Sequence, residues 1–146
     1  MAKFVYRMQS ILNIKEKMQE QAKMEFAAAR MRLDEEEEKL KLLLNRKEAY
    51  QEQGRALRQN GLVVLQIMEN RDAVGIMDEF IADQRYQVSL AERALEDARL
   101  KLQLAMQESK TQERLREKAF EEFLHEENAK EAKEIDELVS YTHGHS

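Results

Sequence analysis

From residue 4 to residue 57 the apolar positions return at steps of mainly three, four and seven. They are Phe4, Met8, Ile11, Met18, Ala22, Phe26, Ala29, Leu33, Leu40, Leu43, Tyr50 and Leu57. Such steps keep one face of an α-helix turned toward a partner. The step from Ala22 to Phe26 follows another step of four and reads as a stutter, a local relaxation of a supercoil. From residue 76 to residue 139 a second stripe holds a strict seven-residue spacing: Ile81, Val88, Leu95, Leu102, Ser109, Arg116 and Phe123. Its companion row is Gln84, Ala91, Ala98, Ala105, Gln112 and Ala119, so large residues alternate with alanines that admit the bulkier side chains of a facing helix. Polar residues interrupt both seams, at Glu36 and Lys47 in the first and between Ser109 and Arg116 in the second. Seam polarity of this kind fixes register at a cost in stability.

Between the stripes, Asn60-Gly61 is a helix-stop or turn signal and Gly75 a second break, with an apolar patch over 62–68. The two arms are similar in length, so folding back between them pairs nearly all of both. The expected fold is therefore all-α, a long two-stranded antiparallel coiled-coil hairpin in a single domain over 1–146. Its first arm covers about 4–58, its tip 59–75 and its second arm about 76–139, with a frayed tail at 140–146. The seams place partners at residue numbers adding to roughly 134, as in Leu57 with Met77 and Leu33 with Leu102 or Lys101.

Composition narrows the alternatives. The chain has 146 residues, no proline and four glycines, and 36% of it is charged. Sheet folds need turn residues far more often than this. Charge then bears on orientation. Residues 1–33 hold seven basic and three acidic residues, and residues 111–146 hold five basic and ten acidic ones. A monomeric antiparallel hairpin sets these segments side by side, whereas a parallel homodimer would set each against its own copy.

Candidate chemistry is sparse. A two-stranded coiled coil offers no water-excluding pocket for a catalytic group, so no catalytic residue, cofactor or metal site is expected. Cysteine is absent, and His143 and His145 stand on a tail too short of ligands to hold a metal. A net charge of −5 argues against nucleic acid, and no apolar run approaches the length of a membrane span. The run from Asp34 to Glu38 reads as a solvated helix face. Two features do ask for partners: Phe4, Tyr6, Met8 and Ile11 crowd one end, and the 62–68 patch with Met77 and Phe80 crowds the other.

The opening Phe4-Val5-Tyr6-Arg7-Met8-Gln9-Ser10-Ile11-Leu12 resembles the Phe-x-(aromatic)-Arg-Leu-Gln-x-Leu-Leu opening of FliJ, the flagellar type III export stalk protein. Leu115-Arg116-Glu117-Lys118 and the run from Glu131 to Leu138 are similar to that family's ending, so the likeness covers essentially the whole chain. The resemblance implies a non-enzymatic cytoplasmic stalk, associated peripherally with the inner membrane through the export apparatus and not inserted in it. Its partners would be the hexameric flagellar export ATPase, the cytoplasmic domain of the export-gate membrane protein, and export chaperones. Phe4, Arg7, Met8 and Ile11 would meet the ATPase ring. Leu43, Tyr50, Phe80 and Gln84 would meet the gate, with Gln84 standing where some members carry leucine and Arg46 where relatives carry tyrosine. The stalk of a virulence type III system and a plain structural coiled coil are the competing readings.

Overall fold

The computed structural model describes residues 2–61 and 63–144. It contains two α-helices, α1 (Gln9–Gln59) and α2 (Val64–Gly144). Strong helix formers and the absence of proline explain their length. α1 ends where Asn60 N–H donates to the Ala56 carbonyl and Gly61 takes φ +111°, a conformation that an L side chain rarely adopts. The chain resolves into two compact units, one formed by Met1–Ala22 and Leu102–Ser146 and the other by Lys23–Lys101. Both helices run through the division.

Within Lys23–Lys101 the two helix segments run antiparallel along a thin seam. The buried residues there are Gly54, Met77, Ile81, Val88 and Ala91, with Phe26, Ala29, Leu33, Leu40, Leu43 and Leu57 half-buried. Glu25 pairs with Lys101 at 2.8 Å and Lys47 with Asp78 at 2.6 Å. Two carboxamides reach across to the backbone of α1. Asn70 Nδ2 donates to the Tyr50 carbonyl at 2.8 Å, and Gln84 Nε2 donates to the Glu36 carbonyl at 2.9 Å and also to its carboxylate. These two clasps stand 14 residues apart on both helices, two full heptads. Gly54 makes room for the first: a Cβ there would collide with Asn70 Oδ1.

In the other unit Leu12, Ala22, Ala105 and Ser109 are buried. Lys15 pairs with Glu108 at 2.9 Å and Arg116 donates to Gln9 Oε1 at 3.0 Å, again antiparallel. The Ser109 hydroxyl and Gln112 Oε1 are buried with no hydrogen-bond partner among the described residues, which costs this stretch of the seam stability.

Four expectations need correction. The tip is not 59–75: α2 already starts at Val64 and passes through Gly75, whose surroundings are open. A solvent-facing helical glycine costs about 1 kcal/mol against alanine, less than the burial of Met77 and Ile81 returns. The shorter connection moves the register, so paired numbers add to 120–127 and not to about 134. Each α1 residue therefore meets α2 about ten positions earlier than expected. The stutter disappears as well, because Leu12, Lys15, Gln19 and Ala22 face the seam in steps of three and four, while Met8 and Met18 are exposed. Finally, α2 stays helical through Gly144 rather than fraying from 140, and every residue from 128 to 144 is exposed.

Gross charge consequently plays a smaller part than expected. Residues 4–22 face roughly 102–123, which hold five acidic and four basic residues, and the strongly acidic 124–144 lies past them. Specific pairs such as Lys15–Glu108 take over the role assigned to bulk charge.

Two outcomes follow for the seam. Gly75→Ala raises stability by about 1 kcal/mol through helix propensity, whereas Gly54→Ala forfeits the Asn70 clasp and falls short of that gain by about 1–2 kcal/mol. In an Asn70→Ala background the deficit disappears, and urea unfolding of the four-variant cycle measures it. The second outcome concerns pH. The hydrogen bond from Gln84 holds the Glu36 carboxyl below its ordinary value, aided by Lys39. A lowered folded pKa means stabilisation that is present above the ordinary carboxylate range and lost as pH falls through the folded value. The stability difference between the wild type and Glu36→Gln is thus present at neutral pH and narrows under acid, as urea titrations across that range would show.

Candidate interaction surfaces

The residues expected at the gate all lie in the unit Lys23–Lys101. Leu43 sits between Glu36 and Lys47 on α1, and Phe80 between Asp78 and Gln84 on α2. The Glu36–Gln84 and Lys47–Asp78 pairs therefore bring Leu43 and Phe80 to one level of the hairpin. They differ in access. Leu43 is half-buried in the seam, whereas Phe80 is 50% exposed and shares a helix face with Ile76, 49% exposed, at the i,i+4 spacing. Tyr50 is half-buried, its carbonyl is taken by Asn70, and it borders an open cleft of about 370 Å³ with Gln53, Leu57, Gln66, Glu69 and Asn70. Gln84 is committed to Glu36 and works as a seam clasp. Phe80 is the residue of this set that presents most apolar area to a partner.

The residues expected at the ATPase ring lie in the other unit. The chain enters α1 through a turn in which Gln9 N–H donates to the Tyr6 carbonyl, and the amides of Ile11 and Leu12 both donate to that of Met8. This brings Phe4 back over α2. Its ring meets Phe120 edge-on, with centroids 5.1 Å apart at 69°, and Phe123 at 5.4 Å and 49°. Such pairs contribute about 0.5–1.5 kcal/mol beyond the area they bury. The Arg116 guanidinium lies 5.6 Å from the Phe4 centroid, a cation–π contact, and the arginine expected in the seam row is exposed. A pairing sum of about 134 put Phe4 near residue 130 of the second arm, and the register change places it at Phe120 and Phe123 instead. Arg7 is exposed and Met8 is 43% exposed, while Ile11 is half-buried and yields the core position to Leu12, 3% exposed. Arg7 and Met8 are thus the accessible members of the group.

Two features escaped the sequence reading. The Phe4–Phe120–Phe123 cluster was hidden because Phe120 falls outside the seven-residue row, although an aromatic three residues before Phe123 is a visible signal. A cleft near the turn, lined by arginines from both helices, depends on pairing that the sequence register misplaced. Among the described residues no group of three His, Cys, Asp or Glu side chains could hold a metal, and no helix is long and apolar enough to cross a membrane.

Comparison with known proteins is consistent with this construction. The fold is similar to the structure of a YscO homolog, CT670, from Chlamydia trachomatis, with a TM-score of 0.66 and 21% identity over 97% of this chain and 96% of that one. Among curated proteins no match is found. The family model of the flagellar FliJ protein matches residues 4–146. The match over residues 4–146, which includes the Phe4-to-Leu12 opening and both helices, makes this chain a member of the flagellar FliJ protein family.

Proposed function

We propose that this chain is a non-enzymatic stalk and adaptor of the flagellar type III export apparatus, joining the hexameric export ATPase to the cytoplasmic domain of the export-gate membrane protein. The observation that carries this reading is the match to the FliJ family over residues 4–146. The distribution of exposed groups supports it, since accessible apolar side chains recur in both units. The end carrying Arg7 and Met8 enters the ATPase ring, and the Phe80 face meets the gate. A two-helix end inside a six-fold ring contacts its subunits unequally. Unequal contacts favour different nucleotide states in different subunits, which raises turnover without any chemistry on the stalk. Export chaperones are further partners of the same apparatus, and the chain works in the cytoplasm beside the inner membrane.

The similarity to the YscO homolog favours a second reading, the corresponding stalk of a virulence type III system. The two separate by which purified ATPase the chain stimulates, the flagellar enzyme or its virulence counterpart.

Two variants test the leading reading. Arg7→Glu weakens stimulation of ATP hydrolysis by the flagellar ring, with a stability change within about 0.5 kcal/mol because the site is exposed. Arg7 is a cleaner probe than Phe4, whose removal would dismantle the aromatic cluster. Phe80→Ala lowers affinity for the gate domain about tenfold or more, as loss of a surface aromatic anchor does, with helicity unchanged by circular dichroism. Full stimulation by Arg7→Glu and undiminished gate affinity of Phe80→Ala would overturn the two assignments.

A further inference from the structure

The turn of the unit Lys23–Lys101 carries a second feature, apart from Leu43 and Phe80. Gln51, Arg55, Arg58, Asn70, Arg71 and Val74 line a surface cleft of about 290 Å³ between the helices. Three of these residues are arginines, two from α1 and one from α2. Arg55 is paired to Glu52 at 2.6 Å. Arg58 of α1 and Arg71 of α2 have no acidic partner among the described residues. Positions flanking a coiled-coil seam ordinarily set opposite charges against each other, but here arginines of both helices line one cleft. The asymmetry is local: the cleft that Tyr50 borders contains Glu69 and no cation. The stretch of chain just before Arg71 leaves apolar side chains exposed. Val63, Val64, Leu65 and Met68 are 52%, 63%, 66% and 57% exposed, and the first turn of α2 contains no acidic residue to oppose an incoming anion.

We propose that this arginine cleft, with the exposed apolar side chains that precede Arg71, docks an acidic, aliphatic segment of a partner protein. Arginine holds a carboxylate through two parallel N–H···O bonds, and two unpaired guanidinium groups on opposing helices call for carboxylates on a segment that crosses the seam. Val63, Val64, Leu65 and Met68 supply the apolar area that a polypeptide segment buries and a free anion does not. A lipid surface fits less well. The turn has no tryptophan or tyrosine to anchor at a bilayer interface, and a chain of net charge −5 is repelled by anionic headgroups. The proposal does not depend on the ATPase or gate assignments, because it rests on the charge and exposure of this cleft alone.

The test uses the full chain with isotope-labelled arginine and follows the side-chain Nε–H signals by NMR. The probe is the capped hexapeptide EELVDE, with its basic counterpart KKLVKK as control. EELVDE shifts the Arg58 and Arg71 signals saturably, and KKLVKK does not. The Arg58→Gln/Arg71→Gln variant loses about tenfold or more in affinity, the loss expected when charge-assisted bonds are removed. Leu65→Ser/Met68→Ser weakens binding with the arginines intact. All four positions are exposed, and unchanged circular dichroism establishes that each variant is folded. The proposal is overturned by absence of saturable shifts, or by equal binding to the double glutamine variant. It is overturned too if inorganic phosphate reproduces the same shifts with the same affinity. Arginine-dependent flotation with phosphatidylglycerol vesicles, in the absence of peptide binding, would assign the cleft to lipid and likewise reject it.

Discussion

The register of the helix pair is the constraint on which every surface of this molecule depends. A coiled-coil seam tolerates sliding by whole heptads, because leucine and alanine positions repeat along it. Two side-chain amides remove that freedom in the unit Lys23–Lys101. Asn70 and Gln84 each donate to a particular backbone carbonyl of α1, and the spacing of the donors equals that of the acceptors. An apolar residue at either position would pack about equally well in several registers, whereas an amide displaced by one heptad loses its carbonyl. Glycine at position 54 completes the device by leaving room for Asn70.

Register, in turn, decides what is exposed. With a connection of four residues between Gln59 and Val64, Phe4 falls on Phe120 and Phe123. α2 therefore runs about 20 residues past the level of Phe4, with Ile135, Leu138 and Val139 facing solvent. The same register turns Phe80 outward and brings Arg58 and Arg71 to one cleft. Docking surfaces on a structure without a globular core are set by helix phase rather than by pockets, so a change of a few residues in the turn would rearrange them all.

Much of this was legible in the chain. The α2 seam is read correctly from Ile81 to Ser109, where alanine alternates with mostly large residues and periodicity fixes the phase, whereas Arg116 of the same row is exposed. The antiparallel hairpin and the Asn60-Gly61 turn are read correctly for equally local reasons. The start of α2 was misread because glycine in a solvent-facing helix looks like glycine in a break, and the choice between them is made by Met77 and Ile81 across the seam. The N-terminal phase was misread because Lys15 and Gln19 occupy seam positions at which an apolar residue was expected. Lys15 is held there by Glu108, a partner 93 residues away that no local pattern reveals. The candidate sites divide in the same way: Arg7, Met8 and Phe80 present side chains to solvent, whereas Phe4 and Gln84 are used by the fold itself.

The functional account makes the chain a physical link between two partners, and a link must hold both at once. The most direct measurement is co-sedimentation of the purified flagellar export ATPase hexamer and the gate cytoplasmic domain, with and without this chain. The account predicts that the gate domain sediments with the hexamer only when the chain is present, in a three-component complex. Competition between the two partners for the chain, each bound only in the absence of the other, would contradict it.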